Sequence, residues 1–292
     1  MVTLEIIMRR VAVISKPQKS ELQTLLPELV AWLRAKGFTP LLDPVSGSYL
    51  GTGEVTPRQD MAAQTPELVI VLGGDGTLLA AARAFAKLDV PVLSVNLGSL
   101  GFLTEVRLSE LYVALELWLA GTCRYDVRAM LHAEMWRDGK LYKEYEALND
   151  VVVAKGAIAR MGQFTIKLDG QKVASMRSDG VIVATPTGST GYALAAGGPI
   201  VLANVNALLV TPICPHLLTI RPLVVQGDAA IHVIVDGVPD QMFLTVDGQE
   251  TEAIVIGDEL HCKRSEHSVR LIRMRETGFF DVLRSKLSWG ER

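Results

Sequence analysis

The sequence predicts an α/β N-terminal Rossmann-like domain with a parallel sheet, followed by an all-β C-terminal sandwich domain. Three observations predict it. Over the first hundred residues, apolar runs of strand length alternate with segments of helical period, the order that gives a parallel sheet with helices on both faces. After about residue 125 the apolar period falls to two, with Asp-Gly pairs at the turns, as in hairpins. The chain has 292 residues, 49% hydrophobic and 21% charged, enough for two modest domains with substantial cores.

In chain order, "RVAVIS" (10–15) reads as a strand, and Leu22, Leu25, Leu26, Leu29, Val30 and Leu33 then recur at helical spacing. "TPLL" (39–42) is a second strand, and the Gly-, Ser- and Thr-rich segment 44–60 reads as a mobile loop. "LVIVLG" (68–73) is apolar on both faces, as buried parallel strands are. A helix over 80–88, a strand over 90–96 and a helix over 108–119 complete this half.

In the second half, "LHAEMWRDGKLYKEYEAL" turns at Asp138-Gly139 and "FTIKLDGQKVAS" at Asp169-Gly170. "VIVATP", "ALLVTPI", "AAIHVIVDG", "MFLTVDGQE", "EAIVIGDELHCKR" and "SVRLIRM" follow as short strands. The expected domains are 1–124 and 125–274, with a C-terminal helix over 275–292 packing back on the first.

A net charge of −3 without a long run of one sign gives no support for a nucleic-acid partner. Cys123, Cys214 and Cys262 are odd in number and widely spaced, which predicts neither a disulfide framework nor a zinc site but a reducing, cytoplasmic setting. The basic pair of "MVTLEIIMRR" follows its apolar stretch, the reverse of a secretory signal. No apolar run has the length of a membrane span, so no membrane partner is expected. "MRRVAVISK" reads as a natural start, leaving residues 1–7 as an extension without a structural role.

Two glycine-rich segments carry the chemistry. Gly73-Gly74-Asp75-Gly76-Thr77 stands where a buried strand hands over to a helix. Glycines 73, 74 and 76 allow positive φ and close approach of a ligand, and a helix N-terminus offers unpaired N–H groups to phosphate. A carboxylate there repels phosphate unless it holds a hydrated Mg²⁺ or accepts a proton from an attacking hydroxyl. Both uses belong to phosphoryl transfer. The bland alternative is a tight turn with Asp75 near an N-cap. Neither a Walker A nor a G-x-G-x-x-G pattern is present.

In "RSDGVIVATPTGSTGYALAAGGPIV" (177–201), Thr185, Thr187, Ser189 and Thr190 crowd hydroxyls around Pro186 and Gly188, and Tyr192 offers a stacking face. Because the segment runs on into an apolar stretch, the hydroxyls are expected to line a ligand cleft. Asn149-Asp150 suits paired hydrogen bonds to a diol, though an Asx turn explains it equally well. The five histidines, His132, His216, His232, His261 and His267, show no ligand spacing and read as structural or surface groups. Trp32, Trp118, Trp136 and Trp289 read as packing residues.

Taken together, these residues resemble the NAD kinase family across nearly the whole chain. The resemblance rests on GGDGT at 73–77, "NLGSLGFLTE" at 96–105, Asn149-Asp150, "RSDG" at 177–180, "TPTGSTGYALAAGGPI" at 185–200, "TPICPHLLTIRPLV" at 211–224 and "DGQ" at 247–249. GGDGT alone also occurs in lipid kinases; the long second block is far more specific.

The resemblance implies transfer of the terminal phosphoryl group of ATP, or of polyphosphate, to the adenosine 2′-hydroxyl of NAD, with a divalent metal such as Mg²⁺, by a homodimer or homotetramer. It casts Asp75 as catalytic base with Gly76 beside the nucleotide, and Gly73, Gly74, Gly76 and Thr77 around phosphate. Asn149 and Asp150 fall where the family holds the adenosine ribose. Thr190, Gly191, Tyr192, Ala193, Leu194 and Ala195 match the adenine side, with Thr187 a further substrate-binding position. Arg177 and Asp179 match further dinucleotide contacts, Gln249 falls where the family has a late polar contact, and Arg160 fits a basic position within reach of phosphate or of the neighbouring subunit. Many members have Asn-Glu where this chain has Asn149-Asp150, and Thr-Ala-Tyr where it has Thr190-Gly191-Tyr192. A lipid kinase and a non-catalytic NAD(P) sensor are the competing readings.

Overall fold

The structure, a computed structural model, describes residues 9–98, 101–156, 160–237, 241–274 and 279–287. Residues 1–7, Trp289 and the ends of the expected C-terminal helix lie outside the described residues. The chain divides into two compact units, 1–127 with 269–292, and 128–268.

In the first unit the strands are β1 (Arg10–Ser15), β2 (Thr39–Leu42), β3 (Leu68–Gly73), β4 (Pro91–Asn96) and the short β5 (Val106–Arg107). They pair in parallel, β2-β1-β3-β4 in order, with β5 beside β4. The helices are α1 (Leu22–Ala35), α2 (Pro44–Leu50), α3 (Arg58–Met61), α4 (Asp75–Ala84), α5 (Leu111–Leu119) and, after the second unit, α7 (Phe279–Leu287).

The buried face of α1 is Leu22, Leu25, Leu26, Leu29, Val30 and Leu33, the set its spacing predicts. With α5 it packs on Val11, Val13, Leu68, Ile70, Leu72, Leu93 and Val95 of the sheet. The alternate residues Ala12, Ile14, Val69, Val71 and Val92 are buried on the opposite face, where α4 lies against β3 and β1. Strands apolar on both sides are required by that double cover.

Two expectations for this half are corrected. The segment 44–60 is not a mobile loop, because α2 and α3 form within it. Asp43 caps α2 through Ser46 N–H (2.7 Å), with Pro44 at the first helical position and Gly51 closing the helix at φ 63°. Arg58 then clamps the buried Asp43 through Nε (2.8 Å) and Nη2 (2.6 Å). The helix expected over 80–88 is α4, which begins at Asp75 and ends at Ala84.

The second unit has β6 (Arg124–Arg137), β7 (Lys140–Ala147), β8 (Asp150–Lys155), β9 (Gly162–Leu168), β10 (Gln171–Ser178), β11 (Gly180–Ala184), the four-residue α6 (Tyr192–Ala195), β12 (Ala207–Ile213), β13 (Leu223–Gln226), β14 (Ile231–Gly237), β15 (Met242–Val246), β16 (Glu250–Ile254) and β17 (Glu259–Arg273). One antiparallel sheet runs β13-β12-β11-β8-β15-β16. The other joins β10-β9-β14-β17, with β6 pairing β17 and β7. Val151, Val153, Val181, Val183 and Leu244 of the first sheet share one core with Phe164, Ile166, Val233, Leu260 and Ala133 of the second. Each strand turns alternate residues inward, as a two-sheet core demands.

The Asp138-Gly139, Asp169-Gly170 and Asp247-Gly248 turns all hold positive φ at both residues, the geometry of tight hairpins. The two strands expected over 252–264 and 268–274 are a different arrangement: β16 ends at Ile254, and β17 is one 15-residue strand, Glu259–Arg273. Among the described residues no helix is long and apolar enough to cross a membrane. All three cysteines are free.

Candidate active site

In the first unit the chain leaves β1 toward β2 and returns on β1's other side as β3, so the sheet order reverses between β1 and β3. Ligands bind beyond the carboxyl ends of strands at such a point. A hollow of about 350 Å³ lies there, lined by Gly73, Gly74, Asp75, Asn96, Leu97, Gly98, Gly101, Thr104 and three lysines, Lys16, Lys19 and Lys286.

Gly74 is the N-cap of α4, and Asp75 is its first residue, where a negative charge meets the positive end of the helix. Glycines 73, 74 and 76 do not adopt positive φ. Gly73 is sterically required within the fold, since a Cβ there would stand 2.4 Å from Thr77 Oγ1; at Gly74 it would meet nothing. Gly74 therefore leaves room for something other than protein.

The half-exposed Asp75 carboxylate is fixed by the segment after β4. Its Oδ1 accepts from Leu103 N–H (3.2 Å), Thr104 N–H (3.1 Å) and Thr104 Oγ1 (3.0 Å), and its Oδ2 accepts from Phe102 N–H (2.9 Å). Asn96 Nδ2 donates to Thr104 Oγ1 (2.9 Å), so the end of β4 sets the hydroxyl that sets the carboxylate. A carboxylate has about four acceptor positions; Oδ1 is saturated, while Oδ2 retains capacity.

Asp75 is the one acidic group among the described residues lining the hollow. Lys19 Nζ donates to Leu97 O (3.3 Å). Neither Lys16 nor Lys286 is paired with a carboxylate among the described residues. These lysines come from residues 16, 19 and 286, and nothing in their spacing announces a site. They are what sequence reasoning missed.

In the second unit, Asn149 and Asp150 open β8, and the Asp247 carboxylate holds that turn by accepting from the N–H groups of Leu148 (3.1 Å), Asn149 (2.8 Å) and Asp150 (3.1 Å). Asp150 is buried, and burial together with the neighbouring Asp247 pushes its carboxyl up to about 7. Asn149 Oδ1 is buried without a hydrogen-bond partner, a costly state that a ligand donor would relieve. A Cβ on Gly191 would lie 3.7 Å from Asn149 Nδ2 and 3.9 Å from Asp150 Oδ2, so both side chains reach toward that residue.

The hydroxyl-rich segment behaves differently from expectation. Thr185 Oγ1 donates to Leu148 O (2.6 Å) and accepts from Gly188 N–H (3.1 Å). Ser189 Oγ bonds Pro186 O (2.6 Å) and Val201 N–H (3.0 Å), and Thr187 Oγ1 accepts from Arg128 (3.4 Å). All three are buried. They shape the turn and do not line an open cleft.

Gly188 seats against Asn149, where a Cβ would stand 2.2 Å from the Asn149 carbonyl oxygen. Thr190 is half-buried and Tyr192 is 48% exposed, presenting its ring; Ala193 is buried, Leu194 half-buried and Ala195 exposed. Arg160 and Arg177 are exposed, and Gln249 is exposed just past the Asp247-Gly248 turn. Asp179 pairs with Lys155 (2.8 Å).

Comparison with known proteins agrees with this arrangement. A model of the ATP-NAD kinase N-terminal domain matches residues 11–123, and one of the ATP-NAD kinase C-terminal domain matches residues 148–274. The chain is 63% identical over 285 residues to the NAD kinase of Acidobacterium capsulatum, covering 98% of this chain and all of that one. Yeast NADH kinase, solved in complex with NADH, matches with a TM-score of 0.88 at 25% identity, over 98% of this chain and 89% of that one. The NAD kinase of Archaeoglobus fulgidus, solved in complex with ATP, matches with a TM-score of 0.73 at 25% identity, over 96% of this chain and 98% of that one. The glycine-acid turn, the Asn-Asp pair and the two domain matches lead to one conclusion: this chain belongs to the ATP-NAD kinase family.

Proposed function

We propose that the hollow at the end of β3 holds the phosphates of the donor and that Asp75 receives the proton of the attacking hydroxyl. The reaction is the ATP-dependent phosphorylation of NAD to NADP. In this reading the α4 N-terminus and Lys16, Lys19 and Lys286 offset the donor's charge, and the open face of Gly74 admits a phosphate to the backbone. The Asp75 Oδ2 atom, with accepting capacity left, takes the hydrogen bond of the 2′-hydroxyl. A carboxylate is a far weaker base than an alkoxide, so proton transfer must coincide with phosphoryl transfer, as a loose transition state permits.

Asn149 and Asp150 hold the acceptor's ribose, and Thr190 to Ala195, with the Tyr192 ring, take its adenine side. Arg160, Arg177, Asp179 and Gln249 make the remaining contacts to the dinucleotide. A divalent cation such as Mg²⁺ fits as the nucleotide's companion, because the lining offers it a single carboxylate and leaves the other ligands to phosphate oxygens and water. When bound it neutralises phosphate charge. Assembly as a homodimer or homotetramer is part of the same reading.

The observation that most supports this account is the isolation of Asp75 among three lysines and a helix N-terminus. A lipid kinase needs an acyl-binding surface beside the same turn, and the adenine-side segment favours a dinucleotide instead. A coupled assay of NADP formation from NAD, Mg²⁺ and ATP, repeated with polyphosphate, tests the account. Product is expected with ATP; NAD binding without product would favour a sensor.

A further inference from the structure

The fold assembles a histidine cluster that the spacing along the chain conceals. His232 on β14 and His261 on β17 are direct cross-strand partners. Their neighbours Ile231, Val233, Leu260 and Cys262 are in the core, so strand alternation turns both histidines to the outer face. Glu259 stands two residues before His261 and shares that face. The two imidazoles stack with centroids 3.9 Å apart and planes 11° from parallel.

His261 Nε2 lies 2.7 Å from Glu259 Oε2. One donor atom from each of the three residues lies within 4.8 Å of the others, and all three are partly buried. Trp136 stacks on the His261 ring at 5.5 Å and is itself anchored by its Nε1–H to Glu134 (2.8 Å). The cluster is therefore held from beside.

We propose that His232, His261 and Glu259 form a binding site for a borderline-soft divalent cation such as Zn²⁺. Two imidazoles and one carboxylate are a common zinc donor set, leaving a fourth position for water. Mg²⁺, which prefers an all-oxygen shell, does not suit it, so the site is distinct in kind from that of the nucleotide's cation. Zinc bonds are about 2 Å long, so the stacked imidazoles must rotate out of parallel for both ring planes to contain the cation.

The His232 imidazole has no hydrogen-bond partner among the described residues, so its lone pair is open. Burial first, and His261 second, hold its imidazole below the ordinary value, which keeps it neutral near pH 7. Lys167, cross-strand from His232 on β9, is the opposing charge, and its long stem lets the ammonium swing into water.

The neighbouring His132 cluster differs. Its Nδ1 already faces Glu146 (2.8 Å), and its Nε2 lies 3.4 Å from Glu134, so one imidazole among carboxylates is accounted for as an ion-pair network.

The test is titration of the chelator-treated full-length chain with Zn²⁺ by calorimetry, and with Co²⁺ by visible absorption. The expected result is one Zn²⁺ per chain and an intense tetrahedral Co²⁺ band. His232→Ala and His261→Ala should each weaken Zn²⁺ binding by at least about tenfold, while His267→Ala leaves it unchanged. NADP formation, which does not involve these residues, serves as the check that each variant is folded. A weak octahedral Co²⁺ spectrum in the unaltered chain, or unchanged Zn²⁺ affinity in both histidine variants, would overturn the proposal.

Discussion

Thr104 holds Asp75 at two points, through its backbone N–H at 3.1 Å and its hydroxyl at 3.0 Å, both on Oδ1. The proposed base is thus oriented from the segment after β4, not from within its own glycine turn. Oδ1 is saturated, while Oδ2, which accepts from Phe102 N–H, has capacity to spare. The motif that is visible in the sequence depends on a residue 29 positions away.

Gly101 keeps this arrangement possible. A Cβ on it would stand 2.0 Å from Asp75 Oδ1 and 2.4 Å from Thr104 Oγ1. Gly101→Ala should displace the carboxylate and lower kcat by about 10²-fold, the scale of a misplaced catalytic group. Steady-state kinetics measures this, with circular dichroism to show that the fold persists; an unchanged kcat would mean that the position of Asp75 is immaterial.

Lys286 gives a separate handle on the donor. It sits on an exposed part of α7 and has no carboxylate partner among the described residues. Lys286→Ala should raise KM for ATP by about tenfold, roughly 1.4 kcal/mol, with KM for NAD unchanged and the difference shrinking as salt increases. Equal changes in both KM values would remove this lysine from the donor side.

Asp150 predicts a pH dependence of stability. Its folded-state carboxyl is pushed up to about 7 by burial and by Asp247, while an unfolded Asp titrates near ~3.9. Between those values the folded chain keeps a proton that the unfolded chain has lost, so this group's contribution is fully present below about pH 4 and lost as pH rises to 7. Thermal unfolding from pH 4 to 8 should therefore show Asp150→Asn gaining Tm relative to the unaltered chain as pH increases. A constant difference across that range would contradict the raised value.

Much of the fold is legible in the sequence where one local rule decides the outcome. The six apolar positions of α1 bury as their spacing requires, and Asp138-Gly139 and Asp169-Gly170 make the two hairpin turns expected of them. The segment 44–60 misled because its Gly, Ser and Thr content masks a helix start that is written plainly, Asp43 as cap followed by Pro44. Thr185 and Ser189 misled in the opposite direction, since a hydroxyl that bonds backbone looks the same in sequence as one that awaits a ligand.

The lysines of the hollow and the His232–His261 pair were illegible for a topological reason. The lysines reach the hollow from the end of β1 and from α7, and cross-strand register joins the histidines; neither leaves a trace in linear spacing. Motif reading found Asp75; its counter-charges needed the fold.

The most direct test of the central claim is the turnover of Asp75→Asn with saturating ATP, Mg²⁺ and NAD. Loss of the proton acceptor should lower kcat by about 10²–10⁴-fold while NAD still binds and the thermal transition stays close to that of the unaltered chain. A kcat near that of the unaltered chain would contradict the account.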